Sequence, residues 1–177
     1  MGLFAGFETD RLLIQHWDDD LRSPETREAL KGQLRDLLSP AVMAPLPPSL
    51  QIDDTDRALD DWIVARRDES TVFLVRNRQD HSLLGLLILA QFGDEGGQIS
   101  FHIGYLLGAE HWGRGYASEL ISGLVDATTG LGRSITLLGG VAPDNPASAR
   151  VLTKNGFTLA PGHPETDNIM YELRVGP

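Results

Sequence analysis

Residues 103–118 read IGYLLGAEHWGRGYAS, and this is the most informative stretch of the chain because a strand pattern runs through a glycine-rich turn directly into a helix pattern. The turn is Gly113-Arg114-Gly115. Such a turn presents successive backbone N–H groups at the positive end of the helix dipole. Glycines let phosphate groups approach the backbone closely. The stretch therefore predicts an anion site suited to a pyrophosphate, with Arg114 as an added charge contact.

Two other interpretations of this turn stay open. A Gly-Arg-Gly turn can simply cap the helix that follows it. The dinucleotide fingerprint GxGxxG is a competing pattern, but its third glycine position holds Ser118 here. That fingerprint also requires a first βαβ unit, whereas the strand before this turn belongs to an antiparallel meander. The sequence therefore argues against nicotinamide or flavin binding.

The chain before the turn predicts three strands joined by connections too short for a crossover, at residues 71–76, 83–92 and 98–107. Further upstream, the pattern predicts a strand at 11–17, a helix at 24–38 capped by Ser23, and a helix at 54–67 capped by Asp53 or Asp54. The second helix should bury Leu59, Trp62 and Ile63.

Residues 39–50 carry four prolines, which argue against a regular helix or a central strand. The segment is too apolar for a solvated linker, so we expect it to pack against the domain. It is also a candidate for one wall of a substrate site, since long loops in compact domains are usually functional.

The chain after the turn predicts two helices and three strands. The expected elements are a helix at 116–129, a strand at 134–141, a helix at 146–154 closed by Asn155-Gly156, and strands at 157–159 and 168–175. The whole order predicts one α+β domain over residues 1–177, with a mixed sheet flanked by helices.

The composition of the chain limits the classes of binding partner that we expect. The formal net charge is −10, which repels phosphate backbones and argues against nucleic acid, while it attracts protonated amines or simply keeps the chain soluble. The chain has no cysteine, which excludes disulfides and thiol catalysis and fits a cytoplasmic protein. No secretory signal and no apolar stretch of about 20 residues is present, so we expect no membrane association. The five histidines show no ligand spacing, so we expect no metal.

A second cluster, VAPDNPASARVLTKNGF, spans residues 141–157. Helix capping alone explains Asn145, and packing of a terminal strand alone explains Phe157. The cluster is informative because it follows the glycine-rich turn along the chain, with one predicted strand between the two.

Together the two clusters resemble the GNAT superfamily of N-acetyltransferases. Within the superfamily, the chain is similar to the branch of the RimJ and RimL ribosomal-protein N-terminal acetyltransferases, which share a TDRL-like opening strand (residues 9–12) and a Trp-Gly-x-Gly-Tyr-Ala turn (residues 112–117). The resemblance covers roughly residues 7–175. It implies a GNAT fold, with a mostly antiparallel central sheet of about six to seven strands, flanking helices and a V-shaped cofactor cleft.

The resemblance also implies acetyl-CoA as cofactor, between strands 98–107 and 134–141. The pantetheine arm would pair with the backbone of Tyr105, Leu106 and Leu107, and Asn145 would bond the pantetheine or the acetyl region. The pyrophosphate would sit on the turn formed by Trp112, Gly113, Arg114, Gly115, Tyr116 and Ala117. Pairing of sheet edges into a homodimer is common in the family.

Amine acetylation needs a base for the ammonium proton and a donor for the leaving thiolate. Many relatives carry Glu where this chain has His102, a residue that can serve as a base near neutral pH. The tyrosine that often serves as acid is Leu152 here. The branch uses a serine three residues after the asparagine, which is Ser148. A sheet-face role for His102 and a capping role for Ser148 are the structural alternatives.

The expected function is transfer of an acetyl group from acetyl-CoA to a primary amine, directly in a ternary complex. The acceptor is either a protein N-terminus or a small molecule. The replaced Glu and the missing Tyr leave one alternative open, an acyl-CoA-binding regulatory or interaction module with little turnover.

Overall fold

One eight-stranded sheet contains every strand in the part of the chain that the computed structural model describes, which is residues 5–53, 56–93, 99–161 and 167–176 without the side chain of residue 56. The strands are β1 Gly6–Glu8, β2 Leu12–His16, β3 Thr71–Asn77, β4 Leu83–Phe92, β5 Ile99–Leu107, β6 Ile135–Val141, β7 Thr158–Leu159 and β8 Ile169–Val175. Their order across the sheet is β1-β2-β3-β4-β5-β6-β8-β7.

The sheet is mixed and mostly antiparallel, so the predicted α+β class is confirmed. Strand β2 pairs antiparallel with β1 and β3, and β8 pairs antiparallel with β6 and β7. Strands β5 and β6 pair in parallel. The predicted six to seven strands are corrected to eight, since the three residues of β1 are too few to show a periodicity and are extended by pairing with β2.

Six helices lie among the described residues: α1 Asp18–Leu21, α2 Pro24–Leu37, α3 Pro40–Met43, α4 Asp56–Glu69, α5 Tyr116–Thr129 and α6 Pro146–Lys154. Helices α5 and α6 have their predicted bounds. Helix α2 begins as predicted, because Ser23 Oγ accepts a hydrogen bond from the Thr26 amide at 3.2 Å. Helix α4 is described from Asp56 onward, and both its predicted start at residue 54 and the candidate cap Asp54 lie outside the described residues.

Residues 39–50 are more regular than predicted. They contain helix α3 and a 3₁₀ turn at Pro48–Leu50. Both begin with proline at the first position, where the missing N–H costs nothing because the first turn of a helix leaves its N–H groups unbonded. The predicted packing is confirmed, because Val42 is buried and the Leu50 carbonyl accepts the Trp62 indole N–H at 3.2 Å.

The described chain divides into two compact units, and each has its own core. The first unit is Met1–Ile88 with Tyr105–Arg114, and the second is Leu89–Gly104 with Gly115–Pro177. The single domain predicted from sequence therefore stays a prediction. The first core contains, among others, Trp17, Leu30, Leu34, Leu59, Trp62, Ile63, Leu74, Leu86 and Leu106. Buried apolar residues of the second unit include Phe101, Ile103, Leu120, Ile121, Leu124, Leu137, Leu152, Phe157 and Met170.

An ion pair joins α2 to α4 in the first unit. Lys31 Nζ, which is almost fully buried, lies 2.9 Å from Asp60 Oδ2, and Arg27 Nη2 lies 3.1 Å from Asp60 Oδ1. The hydrogen bond with Lys31 lowers the pKa of Asp60, and the same bond raises the pKa of Lys31 against the opposing effect of burial.

None of the helices in the described part of the chain combines the length and the apolar character that crossing a membrane requires.

Candidate active site

The glycine-rich turn has the backbone conformation that glycine favours. Gly113 has φ +70° and Gly115, the N-cap of α5, has φ +80°. Both values lie in the left-handed region, which L side chains rarely adopt. A Cβ on Gly113 would meet no other atom within 4 Å, so the space beside it is open.

The start of α5 carries no side-chain cap. The first-turn N–H groups of a helix have no partner inside the helix and normally bond a capping side chain, water or a ligand. An open glycine turn that leads into an uncapped helix of 14 residues fits an anionic group such as a pyrophosphate. The residues present therefore fit the predicted pyrophosphate site.

Arg11 holds this turn in place, a role that the sequence did not predict. Its Nη1 donates a hydrogen bond to the Arg114 carbonyl at 3.0 Å. Arg11 itself is anchored, because its carbonyl accepts the Arg78 amide at 2.9 Å. The only signal for this role in the sequence is the position of Arg11 within the TDRL motif.

The three residues predicted to pair with the pantetheine arm lie at the end of β5. The side chains of Leu106 and Leu107 are buried, and Tyr105 is half-buried. The Trp112 indole, half exposed, donates to the Leu107 carbonyl at 2.8 Å. This bond fixes the residue before the turn to the strand end, and it takes one acceptor position of the Leu107 carbonyl.

Asn145 and Ser148 are brought together at the start of α6. Asn145 Oδ1 accepts the Ser148 amide at 3.2 Å, so the predicted capping role is confirmed. No described residue accepts a hydrogen bond from Asn145 Nδ2 or bonds to Ser148 Oγ. The cap therefore uses only the Oδ1 end of the Asn145 amide.

His102 lies on the exposed face of β5. Its neighbours Phe101 and Ile103 are buried, because successive side chains of a strand point to opposite faces of the sheet. The imidazole stacks on Phe92 with ring centroids 4.2 Å apart and 22° between the planes. Sequence reasoning missed Phe92, because β4 and β5 are separate strands and no local pattern marks the pair.

The pairing between β5 and β6 ends one residue after His102. Ile103 is paired with Gly139, and the two strands are not paired further along β5. The same-face residues that follow His102 and its partner Leu138 are Gly104 and Gly140, neither of which has a side chain. A Cβ on Gly140 would lie 3.2 Å from Met170 Sδ, so Met170 covers the backbone at Gly140.

A family model described as an acetyltransferase (GNAT) domain matches residues 11–158. The chain belongs to the GNAT acetyltransferase family. The match covers the glycine-rich turn, β5, β6 and both clusters of candidate residues. No curated protein sequence matches this GNAT chain.

Solved structures of acetyltransferases share the fold. A GNAT-family acetyltransferase from Bacillus anthracis has a TM-score of 0.66 at 18% identity, covering 96% of this chain and 97% of its own. The ribosomal-protein-S5-alanine acetyltransferase from Vibrio fischeri has a TM-score of 0.62 at 14% identity, covering 96% of each chain. The spermidine N-acetyltransferase from Vibrio cholerae, solved with CoA and spermine, has a TM-score of 0.63 at 17% identity, covering 94% of this chain and 96% of its own.

Leu152 of this GNAT chain lies where many relatives place a tyrosine, and it is a core residue. Its side chain is 1% exposed. A Cβ on Gly139 would lie 2.8 Å from Leu152 Cδ1, so α6 packs closely on β6 at this point. Leu152 offers no proton donor, and its burial against Gly139 gives it a packing role.

Asn155 links α6 to the start of α5. Its Nδ2 donates to the Val151 carbonyl at 2.8 Å and lies 3.3 Å from both the carbonyl and Oγ of Ser118. The predicted C-terminal cap at Asn155-Gly156 is confirmed, with Gly156 at φ +88°. The contact with Ser118, in the first turn of α5, was not predicted.

The described residues contain no group of three or more His, Asp or Glu side chains that could hold a metal ion. They do line a cleft of about 450 Å³ in the first unit. In this cleft one oxygen of Asp18 lies 3.4 Å from His16 Nδ1 and the other lies 3.3 Å from Arg67 Nε. None of the predicted site residues borders it.

Proposed function

We propose that this protein transfers an acetyl group from acetyl-CoA to a primary amine, by direct transfer in a ternary complex, as a cytoplasmic member of the RimJ/RimL-like branch. The observation that carries the proposal is the turn from Gly113 to Ala117, with two left-handed glycines, open space and no side-chain cap on α5. Phosphates have the size and charge that such a turn binds.

Two further groups would complete the cofactor site. The backbone at Tyr105, Leu106 and Leu107 would hold the pantetheine arm, and Asn145 Nδ2 would donate a hydrogen bond to it. The bound cofactor supplies the acetyl thioester. The capping bond of Asn145 supports this assignment, because it fixes the amide plane and so directs Nδ2.

His102 and Ser148 would carry the acid–base chemistry. His102 would accept the proton that the acceptor ammonium loses, since an ordinary amine with a pKa near 10 is mostly charged at neutral pH. The exposure of His102 supports this, because protons can then pass to water. Ser148 Oγ would donate a hydrogen bond where negative charge develops on the leaving sulfur.

The acceptor is either a protein N-terminus or a small-molecule amine. Structural relatives include one enzyme named for ribosomal protein S5 alanine and one named for spermidine. The net charge of −10 favours cationic acceptors of both kinds. A homodimer formed through the sheet edge is also part of the proposal.

Thermal unfolding with acetyl-CoA tests the cofactor. At about 100 times its dissociation constant a ligand adds roughly 2.7 kcal/mol. We expect a rise in Tm of about 5 to 10 °C, at roughly 2–4 °C per kcal/mol, and no rise with NAD as control. An unchanged Tm with acetyl-CoA would mean that the turn is only a helix start, and the proposal would fail.

Substitution separates an enzyme from a binding module. His102→Ala and Ser148→Ala should each lower the rate of acetyl transfer by at least about tenfold without changing the acetyl-CoA-induced rise in Tm. Full binding with no transfer to any amine, in the unmodified chain, would favour the regulatory module. Transfer that neither substitution slows would refute the acid–base assignment.

A further inference from the structure

We propose that Phe92 is a positioning residue for His102, acting by stacking on the imidazole. The inference rests on the proposed function, in which His102 is the base. The contact is direct, since the ring centroids are 4.2 Å apart and the planes are within 22° of parallel. Both residues belong to the same compact unit.

The stacking contact is notable because both Phe92 and His102 are exposed side chains. Phe92 is one of five large apolar side chains that are exposed among the described residues, at 39%. An exposed histidine on a strand ordinarily samples several side-chain rotamers, and each catalytic geometry is then populated only part of the time. Stacking against a rigid ring restricts those rotamers, because an aromatic side chain has only two torsions of its own.

The stacked geometry also suits proton transfer. The N–H and the lone pair of an imidazole lie in the plane of the ring, whereas Phe92 covers a face. The stack therefore orients both nitrogens without competing for their hydrogen bonds. A phenylalanine also brings no polar group that could hold the imidazole in an unproductive tautomer.

The neighbours of His102 on its face of the sheet differ between the two strands. The next residues on this face along β5 and β6 are Gly104 and Gly140. Gly104 carries no side chain, whereas a Cβ on Gly140 would lie 3.2 Å from Met170 Sδ, so Met170 covers the backbone at Gly140. Phe92 therefore stacks on an imidazole whose next same-face neighbour on its own strand has no side chain to pack against it.

The test is a double-mutant cycle on acetyl transfer to two probe acceptors, spermidine and an alanine-initiated peptide. The variants are Phe92→Ala, His102→Ala and the double variant, with Phe92→Tyr to keep the ring and Phe92→Leu to keep the apolar bulk. Released CoA can be followed with a thiol reagent, because the chain has no cysteine to react. Leu159→Ala, another exposed apolar strand residue of the same unit, is the matched control.

We expect Phe92→Ala to lower kcat at least about tenfold with an unchanged KM for acetyl-CoA. Phe92→Tyr should keep the kcat of the unmodified chain, because it keeps the ring, and Phe92→Leu should not. In the His102→Ala background, Phe92→Ala should change kcat less than about twofold, because the two residues act as one unit. The Tm of the variants should stay within a few degrees of that of the Leu159→Ala control.

The outcomes separate this inference from the proposed function. If His102→Ala slows transfer and Phe92→Ala does not, or if the Phe92 effect persists undiminished without His102, only the positioning role is refuted. If His102→Ala leaves the rate unchanged, the base assignment fails and the positioning role fails with it. Absence of transfer to either probe overturns the proposed function as a whole.

A second readout does not depend on turnover. In the unmodified chain, the Cε1 proton of His102 should show the upfield NMR shift that a neighbouring ring face produces. That shift should vanish in Phe92→Leu and persist in Phe92→Tyr. A shift that is absent from the unmodified chain would refute the stack.

Discussion

Arg11 donates a hydrogen bond to the backbone carbonyl of Arg114 across 103 residues of sequence, at a distance of 3.0 Å. The bond joins the residue that precedes β2 to the centre of the glycine-rich turn. Arg11 therefore contacts the turn although it is far from it in sequence. The turn carries glycines at φ +70° and +80°, so an anchor on the residue between them limits its motion.

We therefore expect Arg11→Ala to weaken acetyl-CoA binding by about three- to tenfold, the effect of losing a hydrogen bond worth about 1 kcal/mol. Titration calorimetry with acetyl-CoA measures it. Arg78→Ala is the matched control, because Arg78 also donates to a carbonyl near β2, that of Thr9, and its side chain bonds no residue of the turn. Equal affinities for the two variants would contradict the anchoring role.

Gly113→Ala should cost stability and cofactor affinity, whereas Gly132→Ala should cost stability alone. Both glycines have left-handed φ values, +70° and +61°, and open space where a Cβ would be. Each substitution should destabilise the fold by about 1 kcal/mol, seen as a fall in Tm of roughly 2–4 °C. Only Gly113→Ala should also weaken acetyl-CoA binding, by at least about tenfold, because its methyl group occupies the space of the phosphates. Parallel losses of affinity would argue against a phosphate site at Gly113.

Asn145 has two separable roles. Asn145→Ala removes the cap of α6 and should destabilise the protein by about 1 kcal/mol. Asn145→Asp keeps an oxygen acceptor for the Ser148 amide but loses the Nδ2 donor, so stability should be retained while the KM for acetyl-CoA rises. Urea unfolding together with steady-state kinetics distinguishes the two effects. An Asp variant with unchanged kinetics would leave Asn145 with the capping role only.

The ion pair of Lys31 with Asp60 should contribute stability across neutral pH. Asp60→Asn should lower the free energy of unfolding by about 1–2 kcal/mol, since Asp60 is partly exposed and the buried Lys31 then keeps only Glu28, at 3.2 Å. Asp61→Asn, on the same helix with a 3.9 Å contact to Arg57 and 75% exposure, should change it by less than about 0.5 kcal/mol.

The pKa shifts of Asp60 and Lys31 determine how the difference in unfolding free energy between the unmodified chain and Asp60→Asn depends on pH. The pKa of Asp60 is lowered from its ordinary 3.8, so its contribution is present above that value and is lost as the pH falls through the lowered pKa. The pKa of Lys31 is raised from 10.5, so its contribution is present below that value and is lost as the pH rises through the raised pKa. The difference between the unmodified chain and Asp60→Asn, measured by urea unfolding, should be flat between about pH 5 and 9. A difference that changes in that window would contradict the assignment.

Local chemistry explains the elements that the sequence predicted well. Helices α5 and α6 have their predicted bounds, because a glycine start, an asparagine cap and an apolar period are all contained in the segment itself. The conformation of the glycine-rich turn was predictable because its glycines and the helix after it are adjacent in sequence.

Contacts between segments that are distant in sequence could not be predicted from local patterns. Strand β1 is extended because β2 pairs with it, and α3 is helical because Pro40 at its first position needs no partner while Val42 and Met43 pack into the domain. For the segment that contains α3 the sequence predicted a loop, since four prolines outweigh the signal of a single helical turn.

Residue types at short and fixed spacing were enough to predict the class of fold, the family and a turn suited to a phosphate. The contacts around the candidate site became visible only in the folded chain: Arg11 on the turn, Phe92 on His102, and Asn155 on the first turn of α5. The first and last of these contacts join residues 103 and 37 positions apart. Such pairs form because folding closes the chain between them, and no periodicity within one segment records which distant residue will be the partner.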